Sequence, residues 1–231
     1  PEQSTQVSWR AIALGLILIP VNCYWLVHVE LVQFSTYPTI ISLIFTVVFS
    51  VFVLTLLNLL LKQFLPELAL RQDELLVIYV MLSVVSATAG CSLMEILIPI
   101  LGHAFWFATP ENDWSNLLWK YIKKWLSVDD KSILSGYYHG DSSLYTVQHI
   151  RSWLIPVTSW FAFLFALVFV MVCINIIIRK PWTEKEKLAY PVIQLPLQMT
   201  TPRMMFFRNR FMWMGFGIAA FISLVLSLIH I

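Results

Sequence analysis

Glu95 is the side chain of this 231-residue chain that asks most of its surroundings. It lies in "SATAGCSLMEILIPILGH", Ser86 to His103, within a long apolar run. A charged group near the middle of a bilayer costs at least ~2.5 kcal/mol on insertion scales, and it persists where it faces the protein interior, a wet cavity or a partner. Upstream of it, Ser86, Thr88, Gly90 and Ser92 make a thin stretch of small residues. Such residues let helices approach closely, and they release backbone carbonyls if the helix unwinds. Downstream, Pro99 and Gly102 weaken the helix again before His103. A break at membrane depth is tolerated where it is buried in protein or lines a cavity, and in secondary transporters such breaks build substrate and ion sites. The pattern therefore points to a substrate or ion path made by Glu95, Ser86, Thr88, Gly90 and Ser92. The plainer alternative is a helix that ends at Gly90, a re-entrant turn, and a Glu95 that pairs structurally.

The other polar residues invite quieter readings. Arg71 and Glu74 are three apart, share a helix face, and suggest an ion pair or a gate at the membrane rim. Asn22, Asn58 and Asn175 are lone amides in apolar segments, suited to interhelical hydrogen bonds. His28, Glu30 and His103 fall near the ends of apolar runs and read as interfacial. His139, Asp141, Ser142 and His149 could furnish a hydrolase, but no nucleophile elbow, HExxH or P-loop pattern accompanies them. Cys23, Cys91 and Cys173 are far apart in apolar stretches and read as small core hydrophobes. The sequence thus suggests no catalytic residue, no metal site and no cofactor.

The elements that would carry these residues follow from composition. Hydrophobic residues make up 59% of the chain, charged residues 12%, and mean hydropathy is +0.77. Soluble domains carry roughly 25% charged residues. The apolar residues come in blocks near the ~20 that a helix needs to cross the hydrocarbon core. The expected fold is all-α: a polytopic transmembrane bundle with spans at about 10–31, 38–61, 75–107, 153–178 and 211–231. The third is too long for one straight crossing and is expected to be interrupted. Within 109–152, Leu117, Leu118, Tyr121, Ile122, Trp125 and Leu126 recur at helical spacing between lysines, which predicts an external amphipathic helix. Counting 75–107 as one crossing puts ten Lys and Arg on one side and five on the other; counting it as two gives eight and seven. The positive-inside rule favours the first, with the N-terminus and the 179–210 loop cytoplasmic. The chain starts without Met and stops in an apolar run, as expected for a piece of a longer protein.

Two passages carry a resemblance. In "LALRQDELLVIYVMLSVVSATAG" and "IIIRKPWTEKEKLAYPVIQLPLQM" a basic pair, an acidic–basic run and Leu188-Ala189-Tyr190-Pro191 follow one another in the second. These resemble prokaryotic members of the oligopeptide transporter superfamily, and more closely an uncharacterised prokaryotic membrane family distantly similar to them. The resemblance implies a larger helical transporter of the inner (plasma) membrane. Its cargo would be small peptides or metal chelates moved by a cation gradient. The asparagine-proline-glycine motif of eukaryotic peptide carriers is absent from the sequence. A membrane-embedded enzyme acting on lipid-linked substrates, or a structural membrane subunit, are the other classes that this composition admits. Expected partners are the bilayer and a small molecule, with room for a homo-oligomer. A net charge of +2 gives no footprint for nucleic acid.

Overall fold

A computed structural model describes residues 7–33, 37–91, 93–187, 190–201 and 205–229. The elements in chain order are α1 (Trp9–Val27), which runs into a π turn (His28–Val32), α2 (Phe45–Phe64), a 3-10 turn (Pro66–Leu68), α3 (Gln72–Ala89) and α4 (Met94–Trp106). Then come α5 (Trp114–Leu117), α6 (Lys131–His139), α7 (Val147–Lys180) with a second π turn (Pro181–Lys185), α8 (Pro191–Thr200), α9 (Met205–Arg208) and α10 (Arg210–Ile229). Among the described residues there is no strand. The protein is an all-α membrane protein with five segments long and apolar enough to cross a bilayer: Trp9–Val32, Phe45–Phe64, Gln72–Trp106, Val147–Lys185 and Arg210–Ser227. The chain divides into two compact units, one of residues 1–93 and 190–231, the other of residues 94–189.

The first unit is organised by α1 against α3. Ala11, Gly15, Asn22, Leu26 and Glu30 are buried, spaced by four or seven residues so that they form one stripe. On α3 the buried stripe is Leu75, Ile78, Leu82 and Ser86, and α2 adds Val47, Val51, Thr55 and Asn58. Ala11, Val47, Leu75, Ile78 and Leu82 form one apolar core. α1 and α3 run parallel. At their first ends the Arg10 guanidinium donates to the carbonyls of Leu68 (2.8 Å) and Glu67 (3.5 Å), just before α3 begins. α8 packs at that same end, where the Gln72 amide donates to the Leu197 carbonyl at 3.4 Å.

The second span starts later than the sequence reading has it. α2 starts at Phe45, not Pro38: residues 37–44 form turns, with Pro38 buried. Pro66 opens only a single 3-10 turn, and α3 begins at Gln72 with Arg71 as its N-cap. The link between them is held by Asn58, whose amide donates to the Leu70 carbonyl (2.9 Å) and accepts from the Leu70 N–H (2.7 Å).

The second unit is built around α4. The turns at 118–128 and α6 are stitched to its carbonyls: Val128 N–H donates to Leu101 (3.0 Å), Trp119 Nε1–H to Ala104 (3.0 Å) and the Tyr138 hydroxyl to Pro99 (2.9 Å). A Cβ on Gly102 would lie 2.2 Å from Leu134 Cδ2, so glycine is what lets α6 approach α4 this closely. Phe105, Val128, Ile133 and Leu134 make the core, and Trp106 stacks on Tyr138 at 5.3 Å. The amphipathic helix of this region is α6 rather than 117–126, which is one short helical turn followed by further turns. α6 starts where the Asp130 carboxylate accepts from the Ser132 hydroxyl and N–H (2.7 and 2.8 Å), bonds that hold its pKa below the ordinary value. It stops at Gly140, whose φ of +79° suits glycine. α7 is about 51 Å long at 1.5 Å per residue, longer than the hydrocarbon core, and its most apolar window is only 6% buried.

Asn58→Ala removes both bonds to the Leu70 backbone and is expected to lower stability by about 3 kcal/mol, leaving a buried donor and acceptor unmet. Asn175→Ala removes only a bond to its own helix, to the Met171 carbonyl at 2.9 Å, and is expected to change little. Thermal unfolding in detergent checks this; equal shifts for the two variants would contradict it.

Candidate functional site

The polar node of the first unit is centred on Glu30, not on Glu95. The π turn after α1 carries Glu30 at 0% exposure, although its place near the end of an apolar run reads as interfacial in the sequence. That turn is closed by the Gln33 N–H donating to the His28 carbonyl at 3.0 Å, five residues back. Such widened turns occur disproportionately at functional sites. Glu30 Oε1 accepts from the Thr39 hydroxyl (2.7 Å) and the Thr39 N–H (3.1 Å). Oε2 accepts from the Cys91 N–H at 2.8 Å. Among the described residues no lysine or arginine forms an ion pair with it. Two main-chain N–H groups and a hydroxyl thus hold the carboxylate inside the first unit.

The same node fixes the break in the third span. α3 ends at Ala89, and Gly90 follows with φ −78° and ψ −176°, extended backbone that directs the next N–H, that of Cys91, to Glu30. A Cβ on Gly90 would lie 2.3–2.6 Å from three side-chain atoms of Thr39. Gly90 is therefore required by the close approach of the Thr39 turn rather than by its own dihedrals. The Thr39 hydroxyl is also 3.5 Å from Cys91 Sγ, so it stands between the carboxylate and the thiol.

One turn earlier on α3, Ser86 is fully buried and its hydroxyl accepts from the Asn22 amide at 2.7 Å. Asn22 Oδ1 and Thr46 Oγ1 are buried polar atoms with no hydrogen-bond partner among the described residues. The polar groups Asn22, Ser86, Thr39 and Glu30 thus all lie in the interior of the α1–α3 unit.

The remaining sequence candidates fall elsewhere. Thr88 spends its hydroxyl on its own helix, donating to the carbonyls of Val85 (2.9 Å) and Val84 (3.2 Å). Ser92 lies outside the described residues. Glu95 is half-buried in the first turn of α4 and belongs to the second unit. Arg71 and Glu74 do meet, but by main chain: the Arg71 N–H donates to Glu74 Oε2 at 2.8 Å, starting α3 as in a capping box. The Arg71 guanidinium pairs with Asp73 instead, at 2.8 Å and largely in the open. Asp129 pairs with Lys124 at 3.5 Å and Asp130 caps α6, so these two acids of the 109–152 segment serve local structure. Glu111, in the same segment, is held below the ordinary carboxylate range by its hydrogen bond with Thr109.

The signal for Glu30 was present in the sequence. Ala11, Gly15, Asn22, Leu26 and Glu30 share one helical face, and an acid on the same stripe as the small and amide residues is an inward acid. The fold-back of Thr39 had no such signature.

Gly90→Ala is expected to destabilise the protein by about 2 kcal/mol, the usual scale of overpacking, and to free the Cys91 amide. Thr39→Gly in the same chain should recover part of that loss by making room. Additive losses in the double variant, read by thermal unfolding, would contradict the close contact.

No curated protein and no solved structure matches the sequence. A family model matches residues 1–231 in full, and the chain belongs to that family, described as a family of unknown function (DUF6785).

Proposed function

We propose that this membrane protein is secondary-transporter-like, with Glu30 at the Gly90 break as its cation-responsive site. The observation that carries the reading is a fully buried carboxylate tied to the first free N–H after a broken helix. In transporters of this class, half-helix ends and unwound backbone supply the ligands of coupling ions. The Thr39 hydroxyl gives the site a way to take up a proton. It can turn its O–H toward Cys91 Sγ and accept from a carboxyl O–H, while both main-chain N–H groups keep donating. The buried Asn22 Oδ1 and Thr46 Oγ1 are further acceptors in the same unit for water, a cation or a polar cargo.

The topology that suits this reading has the 75–107 segment crossing once. The starts of α1 and α3 and the helix α8 lie at one end of the first unit, so the chain from α3 to α8 crosses an even number of times. With α7 as one crossing, a single crossing of 75–107 fits this count. With ten Lys and Arg in 1–10, 62–74 and 179–210 against five in 109–152, the positive-inside rule makes that end the cytoplasmic one in this reading. The cargo class we favour is the one implied by the resemblance to oligopeptide transporters, small peptides or metal chelates.

Proteoliposomes containing the full protein, given an inward proton or sodium gradient, should accumulate a member of a panel of labelled di- and tripeptides and metal chelates. Glu30→Gln should abolish the gradient dependence, because its NH2 group faces a donor at one of the two N–H contacts. Accumulation that ignores the gradient, or that survives Glu30→Gln unchanged, would refute the proposal.

A further inference from the structure

A second site lies wholly within the second unit, at the entry to α7. A cavity of about 250 Å³ is lined by Gly136, Tyr137, Ser142, Leu144, His149 and Trp153, among others, and among the described residues no Asp, Glu, Lys or Arg contributes to it. Tyr137 and Trp153 form an aromatic wall with ring centres 5.6 Å apart. Burial raises the Tyr137 pKa, so its phenol keeps its proton. Ser142 Oγ and His149 Nε2 converge on the space beside Gly136: a Cβ there would lie 2.6 Å from the first and 3.2 Å from the second.

The hydrogen bonds of His149 decide what it offers. Thr146 is the N-cap of α7, and its hydroxyl oxygen accepts from the His149 N–H at 3.4 Å. The Thr146 hydroxyl also bonds His149 Nδ1. In the tautomer in which the Thr146 hydroxyl donates to Nδ1, the ring proton sits on Nε2. That Nε2–H is buried and meets no partner among the described residues. A histidine in this form donates at Nε2 rather than accepting a proton from Ser142. The site offers an N–H and the Ser142 hydroxyl beside one cavity without charged lining, and such a set takes an acceptor oxygen.

The depth of the cavity says which oxygen. The uninterrupted apolar run of α7 begins at Trp153, one helical turn after His149. Leu144, Tyr145 and Val147, in the approach to α7, are exposed at 59%, 89% and 83%. Aromatic and apolar groups placed just outside a span sit in the interfacial layer of a bilayer, where ester carbonyls of glycerolipids lie. We propose that this cavity docks a glycerolipid through an ester carbonyl, with His149 Nε2–H and Ser142 as donors and Tyr137 and Trp153 against the glycerol backbone. The absence of charge from the lining fits the neutral ester region rather than the phosphate.

The test uses the full protein in nanodiscs made of equal parts diester and diether phosphatidylcholine with matched chains. Retained lipid is then counted by native mass spectrometry. Wild type is expected to keep the diester lipid about fivefold over the diether, the scale of one net hydrogen bond. His149→Phe should erase the preference. Ser142→Ala, at an exposed position that leaves the fold intact, should reduce it and carries the test if His149→Phe does not fold. Equal retention of both lipids by wild type, or a preference unchanged in the variants that fold, would overturn the proposal.

Discussion

The first unit depends on one requirement: a carboxylate taken out of water must be surrounded by donors. An unpaired charge in such a place costs several kcal/mol, and here no basic side chain among the described residues forms an ion pair with Glu30. The backbone meets the need instead. The chain after α1 turns back so that Thr39 gives its N–H and hydroxyl, and α3 ends so that Cys91 gives its N–H. Each donor fixes something else. The Thr39 turn delays the start of α2 to Phe45, and its side chain leaves space at residue 90 for glycine alone. The break in the third span and the turn before the second helix are thus two sides of one contact.

The two units meet their polar demands in different ways. In the first, polar side chains face inward along parallel helices, as the Asn22–Ser86 bond at 2.7 Å shows. In the second, aromatic donors and backbone N–H groups attach a folded segment to the carbonyls of α4, where Pro99 and Gly102 sit. Gly102 has no side chain, and that lets α6 come close to this helix. α7 joins the second unit at its start, where Trp153 packs on the core and Trp160 Nε1–H donates to the Leu126 carbonyl, and its long apolar surface is otherwise little buried, as befits a helix in lipid.

Much of the architecture could be read from block lengths of apolar residues, because lipid forces backbone polar groups into helices. The break at Gly90 was also visible, as small residues in an overlong run. What closeness in the chain did not pick out was the acid that serves it. Glu95 is close to Gly90 in the chain and drew attention for that reason, whereas Glu30 reaches the break across 61 residues through the parallel packing of α1 on α3. Local spacing also misplaced the amphipathic helix. Leu117 to Leu126 have the right period, but Trp119 and Trp125 lie among turns, while Asp130 supplies the cap that starts α6. Capping chemistry won there over periodicity.

The central claim is that the Glu30 carboxylate holds the first N–H beyond α3. Hydrogen exchange of the full protein in nanodiscs, read by mass spectrometry on peptides covering residues 88–94, tests it most directly. The account requires the Cys91 amide to be protected in wild type and to exchange at least tenfold faster in Glu30→Ala, about 1.4 kcal/mol of lost protection. Exchange at that amide equal in the two proteins would contradict it.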